Sequence, residues 1–188
     1  MRTIRATTIS ILALSLLAGS AVGVAAQDEE AAAVSAFTGV ARPDGKELPI
    51  EGTEVTLPNG FTESTPGFAW QDRWESSDPR FAGDHIVISN WVIDPNWFDP
   101  WSRGEQANIL IATRHELTND GGSWLGEGTS LASTDLDVAI ETIVFVGRDG
   151  YAGLTAYAII DNTRTPATFS GAIFPAAMPE FPDPYVAE

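Results

Sequence analysis

From Phe68 to Phe174 the chain alternates its side chains with a period of two and shows no 3.6-residue periodicity of useful length. Phe68, Trp70, Asp72 and Trp74 oppose Ala69, Gln71, Arg73 and Glu75, giving one mainly aromatic and one mainly polar face. His85, Val87, Ser89, Trp91 and Ile93 oppose Ile86, Ile88, Asn90 and Val92. With apolar residues in both rows, this strand is expected to be buried on both sides. Ile109, Ile111, Thr113 and His115 oppose Leu110, Ala112, Arg114 and Glu116. Strands over 123–131, 138–146, 154–160 and 168–174 follow. Asn119-Asp120-Gly121-Gly122 and Gly147-Arg148-Asp149-Gly150 are turns whose Asn, Asp and Gly residues tolerate positive φ.

The pattern predicts an all-β fold, an antiparallel meander of about eight strands. A closed barrel hides the edges of such a sheet, and a β-sandwich is the alternative. Glycines read inside strands (Gly126, Gly128, Gly153 and Gly171) favour the barrel, since tight curvature needs positions without a Cβ.

The chain before this region divides in two. Arg2 and Arg5 precede a short apolar run, Ile9 to Leu17, and small residues at Val24-Ala25-Ala26. Residues 1–26 therefore read as a cleaved secretory signal peptide, too short in its apolar run to span a bilayer. The expected location is secreted and extracellular, with no membrane attachment in the mature form. Residues 27–66 read as a Pro- and Gly-rich lead-in with short strands near 36–41 and 54–57. Residues 67–175 form the expected barrel domain. Residues 176–188, broken by Pro179, Pro182 and Pro184, are an expected extended tail.

Charge and composition narrow the chemistry. With 26 acidic and 10 basic residues the net charge is −16, which argues against a nucleic-acid partner. There is no Cys, so thiolate catalysis, disulfides and sulfur-ligated metals are excluded. Two His exclude a three-His metal site, and neither a Gly-x-Ser-x-Gly elbow nor a His-Glu-x-x-His helix occurs. No metal and no cofactor are expected. In the segment Asp94 to Glu105, Asp94, Asn96 and Glu105 match positions 1, 3 and 12 of a calcium loop. Phe98 and Asp99 fall where that template wants an oxygen ligand and Gly. Trp97 and Trp101 in this segment are candidate stacking faces for a sugar or other ligand, or the plug of one barrel end.

The stretch Gly122-Ser-Trp-Leu-Gly126, followed by Gly147-Arg-Asp-Gly150-Tyr151-Ala-Gly153-Leu154, resembles the bacterial relatives of the allene oxide cyclase and dirigent barrels. Gly150-Tyr151-Ala-Gly153 matches the late glycine turn of those families, while Arg148 stands where their first glycine falls. The resemblance implies a calycin-like barrel with an apolar cavity, often assembled as a homo-oligomer. It assigns no catalytic residue here.

If successive strands pair, the rows of His85 and His115 lie side by side. Turned inward, they place His85, Ser89, Trp91, Thr113 and His115 among aliphatic side chains, the make-up of a ligand cavity. Turned outward, they would force Arg114 and Glu116 inside, at a cost of several kcal/mol for any charge left unpaired. The inward facing predicts these five as ligand-binding residues. Trp70, Trp74, Trp91 and Trp124 read also as core. The function expected is binding of a small apolar or amphipathic molecule. The alternatives are an isomerase or cyclase of the allene oxide cyclase kind, and a surface-interaction or carbohydrate-contacting module.

Overall fold

A computed structural model of the chain describes residues 33–42, 44–95, 108–134 and 136–179. Among them are ten β-strands, two 3-10 turns and no α-helix. The strands are β1 (Ser35–Ala41), β2 (Lys46–Glu47), β3 (Thr53–Thr56), β4 (Thr62–Ser76), β5 (Gly83–Ile93), β6 (Asn108–Asn119), β7 (Gly122–Ser133), β8 (Val138–Arg148), β9 (Thr155–Asp161) and β10 (Thr168–Phe174). Residues 1–26, Trp97, Trp101 and residues 180–188 lie outside the described residues.

The sheet is antiparallel, as the alternation predicts. β4 to β10 pair in sequence order, and β1 pairs with both β10 and β4, so eight strands close into a ring. That closure leaves β4 with three partners along its second edge. β1 takes Trp74 to Ser76, β2 takes Trp70 and Gln71, and β3 takes Thr62 to Thr65.

Three expectations are corrected. The strand-forming unit does not start at residue 67, because β4 begins at Thr62 and β1 from the lead-in completes the ring. The pairing of β4 with β5 shifts register between Ser64 and Phe68, and Pro66 and Gly67 sit in that irregularity. Read along the sequence they look like a strand end, whereas in a bulge Pro and Gly are at home. The outer face of β5 is not buried: Ile88 is 43% exposed, because the ring is one layer deep with solvent outside it. Gly153 lies in no strand. It precedes β9 with φ +85° and nothing within 4 Å of where its Cβ would be. Backbone strain alone therefore sets the effect of a substitution. Gly153→Val should lower stability by more than about 1 kcal/mol in urea unfolding, while a neutral Gly153→Val would contradict that backbone geometry.

The core fills one end of the ring. Trp74, Phe81, Leu117, Trp124, Phe145 and Phe169 are buried there together. Phe81 comes from the 3-10 turn Pro79–Phe81, capped by Asp78, whose Oδ1 accepts from the Arg80 N–H at 3.0 Å. Its ring stacks on Phe37 at 4.2 Å and meets Phe145 edge-on at 5.0 Å. Trp124 ties the turn down, donating from Nε1 to the Arg80 carbonyl at 2.7 Å. At the far ends of β5 and β6, Ile93, Ile109 and Ala132 form a second, smaller cluster. Between the two clusters the inward rows of β4, β5 and β6 do not meet in a filled core.

Candidate functional site

A cavity of about 430 Å³ occupies that space. His85, Ser89, Trp91, Thr113 and His115 all line it. The register explains why: Val87 pairs with His115, Ser89 with Thr113 and Trp91 with Ile111, and paired residues share a face. Arg114 is on the outer face, donating to Glu127 at 2.7 Å, and Glu116 is likewise exposed. Trp74 and Trp124 are core, whereas Trp70 lines the cavity beside Phe68. The cavity opens beside Ala41, where β1 ends, and the segment from Asn162 to Ala167 between β9 and β10.

Its floor is a chain of four titratable side chains from four strands. Asp72 Oδ1 is 2.7 Å from His85 Nδ1. His85 Nε2 is 2.9 Å from His115 Nδ1. His115 Nε2 is 2.9 Å from Glu141 Oε1, which also accepts from the Thr113 hydroxyl at 2.6 Å. Every imidazole nitrogen is thus engaged. Both rings are nearly inaccessible, with His85 and His115 at 3% and 2% exposure, so no water competes for these nitrogens.

The hydrogen bonds fix the proton count. Each of the three contacts needs one proton, and a carboxylate supplies none. Three protons on two imidazoles make one imidazolium and one neutral ring. Set against two carboxylates, the chain carries a net charge of −1. Burial pushes His85 below its ordinary pKa, and repulsion from His115 adds to this, against the opposing pull of Asp72. Burial by itself would raise the Glu141 pKa. Hydrogen bonds from His115 and Thr113, with the positive charge shared by the two imidazoles, outweigh it and hold the carboxyl below its ordinary range.

Asp72 and Glu141 are the functional-site candidates that sequence reasoning missed. Each had a signal, namely a carboxylate in register with apolar residues: Asp72 between Trp70 and Trp74, Glu141 between Ala139 and Ile143. Glu141 reaches a β6 side chain across the intervening β7 because Gly128 lies between. A Cβ at Gly128 would stand 2.7 Å from Thr113 Oγ1 and 2.8 Å from Ile143 Cγ1. A side chain there would push into the space that the Thr113–Glu141 bond occupies.

The walls above this floor are Phe68, Trp70, Trp91 and Ile111, all partly exposed to the cavity. Trp91 Nε1 donates to Ser89 Oγ, and Ser89 Oγ donates to the Phe68 carbonyl at 3.4 Å, which fixes the indole against the wall. Among the described residues no three His, Asp or Glu side chains converge so that they could hold a metal ion. Fold and site together define an antiparallel ring of eight strands around an aromatic-walled pocket with a hydrogen-bonded acid–imidazole floor. No protein-family model matches the chain, and neither curated proteins nor solved structures give a match.

Proposed function

We propose that this chain is an exported β-barrel protein that binds a small apolar or amphipathic molecule inside the barrel. The observation that carries the reading is the cavity itself. Its volume of about 430 Å³ falls in the range of small-molecule sites, roughly 300–1,000 Å³. Its walls are aromatic and aliphatic, and polar side chains stand at its floor and its mouth, so an amphipathic ligand can be held in one orientation. The closed ring supports the barrel. The glycine turn from Gly147 to Leu154, which joins β8 to β9, supports kinship with the allene oxide cyclase and dirigent barrels. The residues before Gln27 support export through a cleaved signal peptide.

One observation favours the isomerase or cyclase alternative. Asp72 and Glu141 both line the cavity at the two ends of a continuous hydrogen-bond chain. A proton taken up at one carboxylate can be matched by release at the other. Binding is preferred because all four ring nitrogens are already satisfied and none is aimed at the open space.

The test uses a neutral fluorescent probe, N-phenyl-1-naphthylamine. Trp91→Ala should weaken its binding by about two- to tenfold, the range set by losing an aromatic contact of about 0.5–1.5 kcal/mol. Arg114→Ala, on the outer face, should leave it unchanged. Equal affinity in both variants, or no saturable binding by the wild type, would overturn the proposal.

A further inference from the structure

We propose that the molecule held in this cavity is a hydrophobic organic cation, an alkylated or aromatic ammonium. The inference rests on the reading that the cavity is the ligand site, and names the charge its ligand carries. Three independent features of the pocket point the same way.

The first is the wall. Phe68 stacks with Trp70 at 5.8 Å and an interplanar angle of 17°. Phe68 also lies 5.6 Å from Trp91, tilted by 36°. The three rings form a continuous aromatic surface, partly exposed to the cavity. A ring face is the negative pole of its quadrupole and attracts a cation, most strongly when the cation has little water to lose.

The second is the floor. Asp72 follows Trp70 on the same face of β4, one side-chain step further in, roughly 7 Å along the strand. The hydrogen-bond chain that begins at Asp72 carries a net −1 by its proton count. It does so behind side chains that are 9% exposed at Asp72 and 9% at Glu141, where water screens little. A cation seated on the aromatic rings would lie above this charge, whereas a carboxylate there would be repelled.

The third is the entrance. Arg42 and Arg164 stand at the mouth and would be the natural anchors for an anionic ligand. Arg42 is engaged by an acid of its own, its Nε donating to Glu75 Oε1 at 2.6 Å. Arg164 is 75% exposed in its side chain and points its charge to solvent, 4.0 Å from Asp161 Oδ2. The chain as a whole carries −16, so its long-range field draws cations to the opening and turns anions away.

The experiment is calorimetric titration of the protein with three probes of one chain length: octyltrimethylammonium, octanol and octanoate. The two ions are kept below their micelle concentrations and octanol below its solubility limit, at 0.15 M NaCl to screen the outer surface. The cation should bind at least about tenfold tighter than the alcohol, and octanoate weaker than either. Trp70→Leu and Trp91→Leu keep the wall apolar but remove a ring face. Either one that folds should bring the cation-to-alcohol ratio toward one while leaving octanol affinity within about threefold. Octanoate binding as tightly as the cation would overturn the charge assignment and leave the binding function standing. An unchanged ratio in both Leu variants would place the cation on the acidic exterior and overturn it too. No binding of any probe would sink the binding function along with it.

Discussion

Replacing Glu141 with alanine should cost about 3–5 kcal/mol of folding stability at pH 7, the range for breaking a buried charge pair from one side. The truncation leaves the His115 Nε2–H and the Thr113 hydroxyl without their acceptor, and it leaves the imidazolium of the chain with one carboxylate instead of two. Glu141→Gln keeps an acceptor oxygen in place and removes only the charge, so it should fall between wild type and Glu141→Ala. The pH dependence separates this account from simple loss of packing. The Glu141 carboxyl is held below its ordinary value of 4.5, so its stabilisation is complete above that pH and is lost as pH falls through the lower, folded-state value. The gap between wild type and Glu141→Ala should therefore narrow in urea unfolding curves taken progressively below pH 4.5. A gap of 1 kcal/mol or less at pH 7, or one that does not change with pH, would show that this carboxylate does not carry the charge balance of the floor.

The alternation of side chains was enough to read the β architecture and to put five lining residues on two adjacent faces. A strand's period of two depends only on local backbone geometry, so it is visible in a run of residues such as His85 to Ile93. Pairing of neighbours was legible for the same reason, because short turns such as Asp120-Gly121 leave antiparallel partners little choice. What the sequence could not show was contact between strands distant in the chain. Asp72 and Glu141 belong to β4 and β8, and only the curvature of the ring brings them to one floor. The ring's closure was hidden in a similar way. β1 is seven residues of a stretch that Pro and Gly interrupt every few residues, and its two partners lie some 35 and 130 residues further on. The bulge in β4 concealed a strand start, because Pro66 and Gly67 carry the same local signal in a bulge as in a loop.

Trp74→Ala should be the other costly substitution, at about 3–5 kcal/mol. Trp74 is 2% exposed and joins the packed end of the ring to the floor of the cavity. One face stacks on Phe169 at 4.6 Å, and the ring also stacks on His85 at 4.1 Å. Phe81 and Phe145 close round it at 5.8 and 6.1 Å. Removing the indole deletes these contacts and leaves a void continuous with the existing cavity, so water can enter it. That opening distinguishes Trp74 from an ordinary core residue. Burial is the main reason His85 lies below its ordinary pKa, and water beside the ring removes part of that penalty. The His85 pKa should therefore rise toward the ordinary value of 6.5 in Trp74→Ala, as read by NMR titration of the two imidazoles. Trp74→Phe keeps an aromatic plane against His85 and should hold most of the stability, losing about 1–2 kcal/mol. A Trp74→Ala variant that unfolds within 1 kcal/mol of wild type would mean the indole is not the partition between core and cavity. An unmoved His85 in a clearly destabilised variant would mean that packing, and not exclusion of water, is what this tryptophan supplies.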